Sequence, residues 1–399
     1  MTNSAAKLRD YQGPPIFSFG FRPFFLGGAV LAAAIPIFTT LSLSGLAAGR
    51  IDAYTYHTHE MTFGFLSAIL AGFLLTAVPN WTGKLPITGW RLAALFGLWG
   101  AGRAAFLISG IYGRAEFAAI ETSFLLILAA IFWREILSGR NWRNLPVCIL
   151  VTLFALGDLL WHAESVGAIR ALEPFQGGGL RLGLAVVLVL LALIGGRITP
   201  SFTRNWLAKS GRGDIDVSFS SIDRLALAAV AIGATAWAIA PNAYLTGMAL
   251  VAGGIAHLIR LSRWGGARAA DEALVLILHI GQLWLALGLG LLGASVLRPD
   301  VIPPSAALHA LTSGAMGVMI LAVTTRATLG HTGRTLTADR LTIAIYVLAV
   351  SGAIMRVAAP IAGGRQMTAI LIASALWSGA FALFTAVYGR YLTAPRVRA

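Results

Sequence analysis

Residues 57–84 read HTHEMTFGFLSAILAGFLLTAVPNWTGK. The run from 61 to 79 carries no charged side chain, and about 17–25 apolar residues suffice to cross a hydrocarbon core of roughly 30 Å. Two histidines and Glu60 precede this run, and Lys84 follows it. The stretch therefore predicts a membrane-spanning helix that carries histidines at one end.

The same layout recurs near the carboxyl end of the chain. With His59 set against His309, the two segments run side by side without a gap. The matched pairs are Thr62 and Thr312, Gly64 and Gly314, Ala77 and Ala327, and the basic exits Thr82-Gly83-Lys84 and Thr332-Gly333-Arg334. Two apolar helices that each carry a histidine at the same end are what a cofactor held from both sides requires.

The whole chain has the composition of a membrane protein. Hydrophobic residues make up 57% of the 399 residues and charged residues only 12%, which leaves too little polar surface for a soluble fold. The apolar runs predict an all-α integral membrane protein, a bundle of about twelve transmembrane helices. The predicted spans are 24–47, 61–79, 90–111, 116–137, 145–163, 180–200, 224–240, 243–261, 272–296, 305–326, 340–361 and 366–389.

The net charge of +14 fits this topology. With twelve spans, most lysines and arginines fall in the loops on one side, and the positive-inside rule places that side and both termini in the cytoplasm. The chain then divides into an interfacial lead-in (1–23), one transmembrane helical domain (24–389) and a cytoplasmic tail (390–399). Because the basic residues are spread over many loops, a nucleic-acid partner is excluded and the lipid bilayer is expected instead.

Six of the seven histidines lie in or at the edge of the predicted spans. Four are at outer ends of the second, fifth and tenth spans: His57, His59, His162 and His309. Two are near the inner ends of the eighth and ninth: His257 and His279. Polar groups at this depth are costly without a partner and are functional candidates by default.

Haem ligation fits these histidines, because neutral imidazole is the usual axial ligand of iron and two facing helices can supply one each. His59 and His309 are predicted to share one iron. His57 lies about 200° from His59 around a helix, so His57 and His162 are candidates for a second outer haem or metal. Buried histidines bonded to helix carbonyls, or interfacial side chains, are the structural alternatives.

The inner pair, His257 and His279, is predicted to hold an inner haem or to contact a quinol head group, with a structural pair as the alternative. His331 is placed in the inner loop after the tenth span. Together with Arg326 and Arg334 it is a candidate for binding haem propionates or anionic lipid. A solvated loop with snorkelling side chains is the competing interpretation.

Carboxylates surround the outer histidines. Glu60 follows the histidine pair, and Asp158 shares a helix face with His162, where it could orient the ring or relay a proton. We expect Glu60 and Asp158 to pass protons to a bound gas during its reduction. Three further carboxylates of this region rank below them: Glu116, Glu121 and Glu164. Solvated loop-end charges are the alternative for all of these.

Several segments resemble the NnrS family. They are His59-Glu60-Met61, FLLTAVPNWTG at 73–83, Gly195-Gly196-Arg197 with Pro200-Ser201-Phe202-Thr203, and Thr325-Arg326 with LGHTGR at 329–334. The resemblance extends over nearly the whole chain. It implies a twelve-span protein of the bacterial inner membrane that carries haem and copper and is associated with nitric oxide metabolism and nitrosative stress.

The NnrS family is in turn similar to subunit I of the haem-copper oxidases, whose low-spin haem is held by histidines on the second and tenth spans. His59 and His309 lie on these two predicted spans. The predicted sixth and seventh spans carry no histidine for an oxidase-like copper ion. The expected cofactor is therefore haem b, in more than one copy, and copper stays an open candidate.

Two classes of function remain. In the first, the protein binds nitric oxide at an outer-side haem site and reduces it with electrons from membrane quinol. In the second, it is a transporter or a non-catalytic haem sensor for a metal, haem or a nitrosylated iron species. Transporters often show repeats six spans apart with sites at the midplane. Here the repeat is eight spans apart and the histidines lie near the faces, which favours the haem protein.

Overall fold

The computed structural model describes residues 11–47, 52–112, 115–165 and 177–397, without the side chains of 109–117. The first ten residues of the predicted lead-in (1–23) and the last two residues of the predicted tail lie outside the described residues.

The described chain consists of twelve long helices joined by short loops and contains no strand, which confirms the all-α membrane fold. The helices are α1 Phe21–Leu43, α2 Ala53–Thr82, α3 Gly89–Tyr112, α4 Ala115–Ser138, α5 Leu145–Ser165, α6 Gly178–Lys209, α7 Ser221–Ile239, α8 Tyr244–Ser262, α9 Ala273–Leu297, α10 Pro304–His331, α11 Arg340–Ala358 and α12 Gln366–Thr393. Each of them overlaps one predicted span.

Eleven of these helices, counted over the described residues, are long and apolar enough to cross a membrane. The other is α4, whose described side chains include Glu121, Arg134 and Glu135. Helix α4 is nevertheless 24 residues long and coincides with the fourth predicted span. The protein is a multi-pass membrane protein, and the orientation of its termini stays a prediction.

Helix α2 begins at Ala53, earlier than the predicted start at 61. Its first turn is capped by Asp52, whose carboxylate accepts a hydrogen bond from the Thr55 amide at 2.7 Å. His57 and His59 consequently lie within the helix rather than in the loop before it. The extra turns at the start of α2 carry His57 and His59, two of the candidate ligands.

Helices α6 and α10 also continue beyond their predicted ends. Helix α6 runs to Lys209, nine residues beyond its predicted end at 200. Helix α10 runs to His331, which places this histidine in the last helical turn and not in a loop. The last turns of these two helices contain polar residues, so the apolar runs end before the helices do.

Three helices contain a π-helical segment: Glu60–Leu66 in α2, Leu191–Gly195 in α6 and Ala310–Gly317 in α10. The wider turn needs other donors for some backbone carbonyls. The Trp99 indole donates to the Gly64 carbonyl at 2.9 Å, and Arg260 Nη1 donates to the Ala192 carbonyl at 2.7 Å. Such segments often lie at functional sites.

The sequence repeat has a structural counterpart. His59 directly precedes the π-helical segment of α2, and His309 directly precedes that of α10. Both helices are followed by matched glycines in the left-handed region, Gly83 with φ of 70° and Gly333 with φ of 77°, a conformation that other residues rarely adopt. The paired residues therefore share a local conformation as well as a pattern.

The helices form two compact units. Unit 1 comprises Met1–Gly183, Thr328–Arg334 and Thr385–Ala399, and unit 2 comprises Leu184–Ala327 and Thr335–Phe384. His59 belongs to unit 1 and His309 to unit 2. The division into units does not decide the single transmembrane domain predicted over 24–389, and the predicted pairing of the two histidines on one iron depends on the contacts of His59.

Candidate metal centre

Five titratable side chains of unit 1 converge in its interior, and we call them the His59 cluster. They are His59 and Glu60 of α2, Glu121 of α4, and Asp158 and His162 of α5. None is more than 5% exposed. The predicted shared face of Asp158 and His162 is confirmed, with Oδ1 and Nε2 3.7 Å apart.

Four of these residues, two histidines and two carboxylates, each place one side-chain nitrogen or oxygen atom close to the others. The Nε2 atom of His59 lies 3.2 Å from Asp158 Oδ1 and 3.4 Å from Glu121 Oε2. The Nε2 atom of His162 lies 3.3 Å from the same Glu121 oxygen. The ligand atoms of His59, Glu121 and His162 all fall within 4.8 Å of one another, a spacing that suits a metal ion.

The other side of the His59 ring is held by an ion-paired carboxylate. Glu60 Oε1 lies 3.0 Å from His59 Nδ1, and Glu60 Oε2 lies 2.8 Å from Arg103 Nε of α3. A carboxylate behind a metal-binding histidine fixes the tautomer and the ring orientation. Arg103 in turn fixes Glu60, so α3 takes part in positioning His59.

Aromatic rings enclose the cluster. The His59 ring stacks on Phe106 with centroids 4.6 Å apart and lies 4.3 Å from the Trp161 ring. The Phe63 ring approaches it at 5.6 Å. These contacts keep water away, so charges inside the cluster interact more strongly than they would in solvent.

The charge of the cluster is unbalanced when the histidines are neutral. Glu60, Glu121 and Asp158 contribute three negative charges, and Arg103 is the one cation among their described ion pairs. Glu121 Oε2 and His162 Nε2 are buried and have no hydrogen-bond partner. A buried charge without a partner is costly, so the arrangement requires a cation or additional protons.

The cluster does not fit a haem on His59. An axial histidine must direct one ring nitrogen at the iron from beside an apolar slot, whereas both His59 nitrogens face carboxylate oxygens. Phe106 and Trp161 pack against the ring. Two imidazoles with two carboxylates suit a bare metal ion instead.

Two predicted ligands outside the cluster have their own partners. The Nδ1 atom of His309 is 2.7 Å from the Ser305 carbonyl, so this nitrogen carries the proton and Nε2 has the lone pair that a metal ligand needs. His57 is partly exposed, and the ion pairs of the cluster involve His59 rather than His57.

The inner histidines are held separately. His257 Nε2 is 2.8 Å from Gln282 Oε1, and His279 Nε2 is 2.8 Å from Thr203 Oγ1. The Nδ1 atom of His257 is buried without a partner. A role of this pair toward haem or quinol stays a prediction.

The three basic candidates each contact an aromatic ring. Arg326 lies over Phe202 at 4.1 Å, and Arg334 lies over Tyr391 at 3.9 Å. His331 packs against Phe21 and stacks on Phe19 with ring centroids 6.0 Å apart. These contacts give the basic side chains a structural role in addition to the predicted one.

Glu121 and Arg103 are the residues that sequence reasoning undervalued. The signal was present, because each is a charged residue inside a predicted membrane span, where charges are functional candidates by default. Glu116, ranked with Glu121, has a side chain outside the described part. Glu164 accepts a hydrogen bond from the Gly179 amide at 3.1 Å, on the loop side of the cluster residues of α5.

Comparison with known proteins agrees with the motifs. No curated protein matches the chain. The sequence model of the NnrS family, described as NnrS protein, matches residues 15–396, which is essentially the whole chain and includes every residue of the His59 cluster. This chain is therefore a member of the NnrS family of nitric oxide-associated, multi-pass membrane proteins.

Proposed function

We propose that this protein binds nitric oxide at the His59 cluster and reduces it, with electrons from a membrane quinol, in the bacterial inner membrane. The observation that carries the proposal is a buried group of two histidines and two carboxylates in a chain of a nitric oxide-associated family. The Nε2 atoms of His59 and His162 each lie 3.2–3.7 Å from an oxygen of Glu121 and of Asp158. Such a site offers ligand atoms and acids at the same point.

The reaction balances with quinol as the reductant. Two molecules of nitric oxide take up two electrons and two protons, an N–N bond forms, one N–O bond breaks, and nitrous oxide and water leave. Oxidation of one quinol to quinone releases two electrons and two protons. The site must therefore accept both electrons and protons while it excludes bulk water.

Different residues of the cluster would serve different parts of this reaction. A metal ion at the cluster would supply the electron-transferring centre. Asp158 lies close enough to hold and deliver protons, as expected of a general acid within hydrogen-bond reach. Glu121 would hold the metal ion together with the two histidines. Phe106 and Trp161 keep water from the cluster. Glu60 orients His59 rather than serving as the acid that touches the gas.

We further propose that His309 would hold the haem b that the resemblance implies, and that this haem would supply electron transfer from the quinol. The hydrogen bond from Nδ1 to the Ser305 carbonyl gives His309 the tautomer that an iron ligand requires. Reduced-minus-oxidised spectra of His309→Ala should then lack one b-type signal that Ser305→Ala retains. An unchanged haem spectrum would remove His309 from this role.

The reductase proposal is tested by amperometric measurement of nitric oxide consumption. The haem-replete, full-length protein receives a reduced quinol analogue, and Glu121→Gln and Asp158→Asn are compared with it. Loss of the acid Asp158 or of the metal ligand Glu121 should lower the turnover number by about 100-fold or more. The matched control is Glu135→Gln on the same helix, whose carboxylate pairs with exposed Arg134 and should leave turnover unchanged.

Two outcomes contradict the proposal. Equal turnover in Glu121→Gln and Glu135→Gln removes the cluster from the reaction. Spectral binding of nitric oxide without consumption by the wild type leaves a non-catalytic sensor, the alternative expected from the sequence.

A further inference from the structure

We propose that His59, Glu121 and His162 hold one divalent, non-haem metal ion, with a fourth position left open beside Asp158. The ion is Fe²⁺ if the cluster carries out the reduction and redox-inactive Zn²⁺ if it does not. The inference concerns the same cluster as the proposed function but does not depend on turnover of nitric oxide. Binding of the ion can be measured without turnover.

The distances between the donor atoms carry the argument. Glu121 Oε2 lies 3.4 Å from His59 Nε2 and 3.3 Å from His162 Nε2, and the ligand atoms of these three residues all lie within 4.8 Å of one another. A tetrahedral ion with bonds of about 2.0–2.1 Å requires donors about 3.3–3.4 Å apart. Neighbouring donors of a square-planar ion with the same bonds lie at about 2.9 Å. The cluster is therefore spaced for a tetrahedral ion.

The charges lead to the same conclusion. The cluster and its described ion pairs hold three carboxylates and one guanidinium, which leaves two negative charges with neutral histidines. One divalent ion removes this excess. Neutrality matters here because all five cluster residues are at most 5% exposed within a membrane-spanning protein.

The buried cluster atoms that lack a hydrogen-bond partner include two that a metal ion would contact. Glu121 Oε2 and His162 Nε2 are buried, lie 3.3 Å apart and have no hydrogen-bond partner. The supporting contacts are also in place, because Glu60 pairs with His59 Nδ1 and Arg103 pairs with Glu60. A site with organised supporting residues and unpartnered donors inside is typical of a metal centre.

The donor types narrow the class of metal. Imidazole favours zinc, iron, copper and nickel, whereas the carboxylates disfavour cuprous ion, which prefers sulfur. The spacing disfavours the square-planar geometry of cupric and nickel ions. Haem is excluded at His59 because both ring nitrogens face carboxylates. These considerations leave four-coordinate zinc or ferrous ion.

The first experiment uses Co²⁺ as a probe on the chelator-stripped, full-length protein. Four-coordinate Co²⁺ has intense visible bands that the six-coordinate ion lacks. We expect these bands to saturate at one Co²⁺ per chain and to disappear on addition of excess Zn²⁺. Absence of binding, or a six-coordinate spectrum, overturns the proposal without any variant.

Variants locate the ion. Glu121→Gln and His162→Ala should lose the four-coordinate bands, whereas Asp158→Asn should keep them and Glu60→Gln should keep them with affinity about 10–100-fold lower. Glu164→Gln on α5 is the matched control and should bind as the wild type does. A thermal unfolding profile identifies any variant that fails to fold. Retention of the bands in folded His162→Ala overturns the assignment.

The results separate this inference from the proposed function. A bound ion without nitric oxide consumption leaves the metal centre intact and rejects the reductase. Consumption by a protein that holds haem but no non-haem ion rejects the metal centre and leaves the reductase.

Discussion

Isolated charges decide the chemistry of this protein at the scale of single residues. Arg103, Glu121 and Asp158 each interrupt an apolar helix, and the fold brings all three to the ring nitrogens of His59 or to its supporting carboxylate. Each charge alone would be costly in a membrane. Together they compensate one another only in part, and the remaining negative charge is what makes the cluster a cation site.

The Arg103–Glu60 pair should be essential for stability. Arg103→Met leaves the fully buried Glu60 without its cation, and breaking a buried pair from one side costs about 3–5 kcal/mol. The melting temperature in detergent measures the loss. The double variant Arg103→Met/Glu60→Gln should recover part of it, because no unpaired charge then remains.

The matched control is Arg134→Met, which removes a cation from an exposed pair with Glu135. The Arg134 side chain is 67% exposed, so the change should cost less than about 1 kcal/mol of stability. Equal melting temperatures for the two single variants would show that Arg103 does not compensate Glu60.

At the scale of the helix, backbone carbonyls of the π-helical segments accept hydrogen bonds from side chains of neighbouring helices. In α6, Arg260 donates to Ala192 and Gln282 donates to Leu191, across Gly195 and Gly196. A Cβ atom at either glycine would fall on the side chain that it faces, the amide of Gln282 or the guanidinium of Arg260. The motif Gly195-Gly196 is therefore a requirement of close packing.

Gly196→Ala should destabilise the protein for this reason. The added methyl group displaces the Arg260 guanidinium, and overpacking of this kind costs about 1–3 kcal/mol. The melting temperature is compared with that of Gly290→Ala in α9, where a Cβ atom meets nothing within 4 Å. A loss in Gly290→Ala as large as that in Gly196→Ala contradicts the packing role.

At the scale of the whole molecule, α4 decides the topology. Eleven other described helices are long and apolar enough to cross the membrane, so the termini share one side only if α4 crosses as well. We expect α4 to cross, because its charged Glu121 is buried in the cluster and need not meet lipid. Both termini are then cytoplasmic, in agreement with the positive-inside rule.

Reporter fusions test this topology in cells. A fluorescent protein that folds only in the cytoplasm should be active at both the amino and the carboxyl end, and periplasmic alkaline phosphatase should be inactive at both. Opposite results at the two ends would mean an odd number of crossings. Fusions in the loop after Ser138 then show whether α4 is the helix that fails to cross.

The sequence by itself determined the membrane fold, the twelve helices and the repeat between α2 and α10. Apolar length, charge distribution and residue spacing are local properties, so they can be read along the chain. It also identified His59, Glu60, Asp158 and His162 as candidates, because polar residues within apolar helices are rare. The predicted ends of three helices were wrong, because their terminal turns are polar and carry no apolar signal. The observed ends are Ala53, Lys209 and His331.

Only the tertiary structure decided which of these residues meet. Glu121 is 62 residues from His59 along the chain, and its role follows from the packing of α4 against its neighbours rather than from any local pattern. The same packing turns Glu60 toward Arg103 and leaves Glu121 and His162 unpartnered at a common point. Rotation of each helix about its axis sets these contacts, and that rotation depends on all neighbouring helices at once.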